Sequence, residues 1–189
     1  MRVDESSASC LLHSFKEGIL SAVAHDLEIR VTRFSITVDG EPGAPRSLVA
    51  SFDAGSLRVA SAMKDGVARP GLLGDGDRRT IESTIQDTVL QSRRWPVVTF
   101  TVDQLPGATA EWLSARTGTL RLDGRLRLCG VERPVGCVVR HEGDACVTEV
   151  DIQQPDFGIK PFSAALGTLR IKPVVRARVS VPLGALTKA

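Results

Sequence analysis

Tyrosine is absent from these 189 residues, and the remaining aromatics are six Phe and two Trp. Stacking of bases or sugar rings needs aromatic platforms, so nucleic acid is not an expected partner. No stretch reaches the roughly 18 consecutive apolar residues that a membrane-spanning helix requires. The opening MRVDESSASC also lacks the basic patch and apolar core of a secretory leader. The expectation is therefore a cytoplasmic protein with no membrane span, in a compartment where disulfides are rare. Cysteines 10, 129, 137 and 146 form no CxxC pair and no zinc-like spacing with the histidines, so they read as small hydrophobes and no metal is expected. Charge of one sign is lacking too: the net charge is +2, and the basic residues are spread along strands rather than clustered. Arg121, Arg125 and Arg127 accordingly read as a solvated face, not a phosphate-binding stripe.

Catalytic signatures are equally scarce. ARPGLLGDGD is followed by no GK[ST], so its glycines mark a flexible loop and not a phosphate cradle. Asp156-Phe157-Gly158 stands without the other kinase segments and reads as a turn. His25 and Asp26 are neighbours on a strand, point to opposite faces, and cannot readily hold one ion together. No catalytic residue and no cofactor is assigned.

What the chain does have is alternation. In Gly118–Val139, Leu120, Leu122, Leu126 and Leu128 share one parity, while Arg121, Asp123, Arg125 and Arg127 hold the other. Such a segment is a half-buried antiparallel strand. Gly130 to Pro134 breaks the pattern and Val135, Cys137 and Val139 resume it, which predicts a hairpin. Strands are also expected at Ser9–Phe15, across Leu27–Val38 with a change of parity near Thr32 and Arg33, and around Leu48–Val59, Val98–Val102, Cys146–Ile152 and Leu169–Leu183. The parity change requires a bulge or corner. Lys64–Asp77 and Pro106–Arg116 read as loops, and residues 1–8 as a flexible polar tail.

One segment changes period. Ile81, Ile85 and Val89, with Leu90, recur at helical spacing between Asp77, a suitable cap, and Pro96. The spacing predicts one helix, Asp77 to Gln91, packed against or over the sheet. About eight strands without repeats then suggest an all-β fold with one helix, an antiparallel barrel whose closure removes its edges. The small inward residues Ala50, Ala54, Gly124, Cys137, Thr148 and Ala177 leave either a filled core or a cavity open as readings.

The order of these signals resembles the YceI-like proteins with their lipocalin-like barrel. The matching pieces are His25 near the N-terminus, RRWPVVTF at Arg93–Phe100, GTLRLDGRLRLCGVERPV at Gly118–Val135, and PDFGI at Pro155–Ile159 before a long last strand. The resemblance spans about residues 9 to 183, within one domain of residues 9–185. It implies an eight-stranded antiparallel barrel around an elongated apolar cavity that holds an isoprenoid or similar lipid. On that basis the residues expected to contact the lipid are His25, Leu27, Ile29, Phe34, Phe52, Leu57, Ile81, Ile85, Val98, Phe100, Leu120, Leu122, Leu126 and Phe157. The function expected is non-enzymatic binding, sequestration or transport. The alternative is an isomerase or hydrolase acting inside the barrel with His25 as general base. A homodimer through the final strand, on which Val174 lies outward between Lys172 and Arg176, is the remaining expectation.

Overall fold

A computed structural model describes residues 1–18, 25–41, 43–164 and 168–186. In chain order its strands are β1 (Arg2–Asp4), β2 (Ser9–Glu17), β3 (Asp26–Val31), β4 (Phe34–Glu41), β5 (Ala44–Asp53), β6 (Leu57–Lys64), β7 (Val67–Arg69), β8 (Val97–Val102), β9 (Thr119–Leu128), β10 (Val131–Glu142), β11 (Ala145–Gln153), β12 (Ser163–Ala164) and β13 (Leu169–Pro182). The helices are α1 (Asp75–Ser83), α2 (Thr109–Ala115) and the single turn α3 (Leu183–Leu186).

All the ladders are antiparallel, and the sheet runs β1-β4-β5-β8-β9-β10-β11-β13-β2-β3-β6-β7, with β12 on the side of β13. Its two ends are made by one hairpin. β3 continues into β4 and β5 into β6 across a shared corner, so β4–β5 belongs to one end of the sheet and β3–β6 to the other. The chain itself thus carries the sheet round into a barrel, as strands that switch sheets at corners do. Eight long passages form the wall, two of them broken by the corner; β1, β7 and β12 are short additions that raise the described sheet to 13 strands.

The corner falls where the alternation changes parity. Thr32 N–H donates to the Ser56 carbonyl at 3.1 Å, and Asp53 N–H donates to the Arg33 carbonyl at 3.0 Å. Ser56, fully buried, donates its hydroxyl to Asp53 O at 2.8 Å and accepts from Arg33 N–H at 3.1 Å. Backbone groups that the ladder releases at the bend are thereby satisfied.

The β9–β10 hairpin forms as the alternation predicts, with Leu128 opposite Val131 and Leu120 opposite Val139, but its turn is shorter than expected: Val131–Pro134, read as part of the break, already pair with Arg125–Leu128. Cys129 and Gly130 have φ of 49° and 78°, the pair of left-handed residues that a type I′ turn needs. At Gly130 a Cβ would meet the Trp95 ring at 2.5 Å, so glycine is required there for space as well as for φ.

Several expectations are corrected. Residues 1–8 are not a loose tail: β1 pairs with β4, and Val3 is 3% exposed in the core. The loop Lys64–Asp77 contains β7, which forms a hairpin with the end of β6. The expected loop Pro106–Arg116 contains α2. The expected helix Asp77–Gln91 begins earlier, with Gly74 and not Asp77 at its N-cap, and α1 passes into a π-helical stretch, Thr84–Val89. Within the last strand the pairing to β2 slips between Ile171 and Val175, a bulge around Pro173. Gln154 holds that bulge, its side-chain amide donating to the carbonyls of Lys172 and Pro173. Residues 21–24, the expected start of the strand that continues through Leu27–Val38, lie outside the described residues.

Candidate functional site: an apolar barrel cavity

The barrel is not filled by its own side chains. It encloses a space of about 1130 Å³, above the roughly 300–1,000 Å³ of pockets that take drug-sized ligands. Leu12, Val150, Ile152, Val175, Ala177 and Val179 face this space and are only half-buried, because an empty volume and not another side chain lies in front of them. The small residues Ala50, Ala54, Cys137, Thr148 and Ala177 all line it. Gly124 does not, but a Cβ there would strike the Phe100 ring at 2.7 Å, so this glycine lets Phe100 lie flat against the wall.

Twelve of the fourteen expected contact residues line the cavity: His25, Leu27, Ile29, Phe52, Leu57, Ile81, Ile85, Val98, Phe100, Leu120, Leu122 and Leu126. Phe34 and Phe157 do not. Phe34 opens β4 just past the corner and is buried against Phe52, with ring centroids 5.9 Å apart. Phe157 sits on the single turn Gln154–Phe157 that Gly158 ends with φ of 71°, and is buried against the cluster containing Leu126 and Leu128.

Each end of the barrel carries a helix. The strand directions put β3's start and the end of β2 at one end, and the β4–β5 tip and the β10–β11 turn at the other. At the first end α1 and its π-helical extension present Ile81, Ile85 and Val89 to the cavity. No residue of this helix is fully buried, since its apolar stripe faces open space. Polar clamps seat it on the free edge of β6. Glu82 accepts from Val59 N–H at 2.8 Å and the Gln86 amide donates to Leu57 O at 3.0 Å. At the other end α2 contributes Thr109, Trp112 and Leu113, which together with Leu105 were not among the expected site residues. Their recurrence at helical spacing was the available signal. Trp112 stacks on His141, with ring centroids 4.2 Å apart.

The wall also loosens between β10 and β11. β10 pairs with β11 only over Val139–Glu142 and Ala145–Thr148, although each continues along its other neighbour. Val135, Cys137, Val150 and Ile152 border both the resulting outer slit and the inner cavity.

Chemically the lining is inert. Three of its members are cysteines, and burial raises their thiol pKa values, to about 12 for Cys10 and about 11 for Cys146, with Cys137 also raised. Such thiols stay protonated and act as apolar surface. His25 has no hydrogen-bond or ion-pair partner among the described residues. No group of three or more His, Cys, Asp or Glu among the described residues is placed to hold a metal. The solvent face of β9–β13 carries ion pairs instead, with Arg125 on Asp103, Arg176 on Asp151, and Arg178 on both Glu142 and Glu149. Among the described residues no helix is long and apolar enough to cross a membrane.

Among solved structures, BcnA of Burkholderia cenocepacia superposes with a TM-score of 0.61 at 13% identity, over 95% of this chain and 98% of that one. A polyisoprenoid-binding domain from Saccharophagus degradans, implicated in plant cell wall breakdown, superposes with a TM-score of 0.56 at 14% identity, over 93% of this chain and 96% of that one. These likenesses establish the fold, which is the barrel that the YceI-like resemblance implied. A YceI protein of Campylobacter jejuni overlaps 70% of this chain, with a TM-score of 0.45 and 14% identity. No protein-family model matches the chain, and neither does any curated protein sequence.

Proposed function

We propose that this protein binds an elongated apolar lipid of isoprenoid type inside its barrel and holds it without transforming it. The observation that carries the reading is the cavity of about 1130 Å³ with an almost wholly aliphatic and aromatic lining. Each ligand methylene moved from water into such a lining gains about 0.8 kcal/mol, so a prenyl chain is held by burial alone. The likeness to a polyisoprenoid-binding domain supports this ligand class.

The enzymatic alternative rests on His25, which does reach the cavity lining. A general base is normally oriented by a second group, and His25 meets none among the described residues. Organic extraction of the purified protein, with mass spectrometry of the extract, tests the main reading. A prenyl or comparable lipid is the expected result; an extract without lipid, together with no binding of added geranylgeraniol, overturns it. His25→Ala separates the two readings. A holder keeps its ligand, with a loss of at most about tenfold in affinity for one hydrogen bond, and the extracted lipid is chemically unaltered in both proteins.

A further inference from the structure

Resting on that reading, we infer that the lipid carries an uncharged head group, a hydroxyl or carbonyl, and not a phosphate or diphosphate. Phosphate recognition needs convergent guanidinium or ammonium groups, commonly as bidentate arginine pairs. Among the described residues the cavity lining has no pair of arginine or lysine side chains. Among the described residues its charged lining side chains are Glu41, Asp53, Asp77 and Arg116, three carboxylates against one guanidinium, and no lysine lines it.

The disposition of these charges sharpens the point. On α1 the exposed Asp77 lies in the lining together with Thr80. Asp53 is already engaged, accepting from Arg33 Nε at 2.8 Å and from Gly55 N–H at 2.7 Å. Arg78, next to Asp77 in sequence, is not in the lining. The rest of the lining holds Glu41, Arg116, whose own partner is Asp144 at 3.7 Å, and Met1, whose ammonium donates to Val38 O at 2.8 Å. Outside the described residues, 19–24, 42 and 165–167 contain no charged side chain and 187–189 contain one, Lys188. At the α1 mouth a diphosphate would therefore meet Asp77 with no arginine or lysine among the described lining residues there, and at the α2 mouth it would meet Glu41 and two cations, Arg116 and the Met1 ammonium, that already have partners. A hydroxyl or carbonyl needs only a donor or acceptor, which His25 supplies at the α1 end.

The test compares geranylgeraniol with geranylgeranyl diphosphate, equal in chain length, by titration below their aggregation thresholds at low salt. The alcohol is expected to bind at least about tenfold more tightly, with the gap narrowing as salt screens the carboxylates. The double variant Glu41→Gln with Asp77→Asn, both at exposed positions, is expected to narrow the same gap at low salt. Equal or tighter binding of the diphosphate overturns this inference while leaving the lipid-holding reading intact. An alcohol preference unchanged in the double variant and in high salt also overturns it, because charge would not then be its cause. Binding of neither probe overturns both.

Discussion

Replacing Ala177 by Phe puts the existence of the cavity to a direct energetic test. Ala177 sits on β13 between Val150 of β11 and Leu12 of β2, and faces the interior. In a filled core the added ring would be overpacked and cost roughly 1–3 kcal/mol, which in a domain of this size lowers Tm by about 2–4 °C per kcal/mol. In the barrel described here the ring has open space in front of it. It buries its own apolar surface there, worth up to about 1.5–3 kcal/mol for a fully buried Phe. Thermal unfolding of the ligand-free variant should give a Tm equal to or above that of the parent. Ligand affinity should move the opposite way. A phenyl ring displaces on the order of six ligand carbons, and at about 0.8 kcal/mol each that is up to roughly three orders of magnitude in Kd. Titration with geranylgeraniol reads this loss. A Tm several degrees lower with unchanged affinity would refute the reasoning, since it would mean that side chains already occupy the space.

Other consequences are separately measurable. Gly130→Ala forces a side chain into the Trp95 ring at a left-handed position, and chemical denaturation should show a loss of about 1–3 kcal/mol. Glu82→Ala removes the acceptor of Val59 N–H and should cost about 1–3 kcal/mol while speeding hydrogen exchange at that amide; an unchanged exchange rate would mean that α1 does not cap the β6 edge. The Cys10 thiol binds its proton more tightly folded than unfolded, its pKa rising from 9.0 to about 12. Its contribution is therefore complete below pH 9 and fades as pH rises through the interval to about 12, by roughly 1 kcal/mol around pH 10. Cys10→Ala should flatten that alkaline limb of a stability curve. On the acid side Arg178 holds the Glu142 and Glu149 carboxyls below their ordinary range, so that support is lost as pH falls below the usual carboxylate values. Arg178→Gln should make Tm less sensitive to pH there.

How far these features could be read beforehand depends on the range of the interactions behind them. The β9–β10 hairpin was legible as two strands because alternation is local, but its turn was read too long, because Glu132, Arg133 and Pro134 interrupt the alternation although they pair with β9. The parity change at Thr32–Arg33 announced a bend, yet only the pairing of β3 with β6 and β4 with β5 shows that the bend closes the barrel. β1 escaped notice because three residues cannot display a period. α2 was hidden by Pro106, Gly107 and Gly118, although Leu105, Thr109, Trp112 and Leu113 fall on one helical face. The stripe at 81, 85 and 89 keeps a strict spacing of four, which drifts round an α-helix of about 3.6 residues per turn; the wider π-helical turns hold it on the cavity side. The inward leucines could be assigned to a face from sequence, but whether they filled or lined that interior depends on the barrel's circumference, which no local pattern encodes. Phe34 lies outside the lining because it stands at the corner against Phe52, and Phe157 because it sits on the turn Gln154–Phe157 against Leu126 and Leu128.

Native mass spectrometry of the purified protein bears most directly on the claim that the barrel holds a lipid. The account predicts a non-covalent adduct with the mass of an uncharged prenyl or similar lipid, released by gentle activation and replaced by added geranylgeraniol. A spectrum with the bare chain alone, unshifted by added geranylgeraniol, would contradict it.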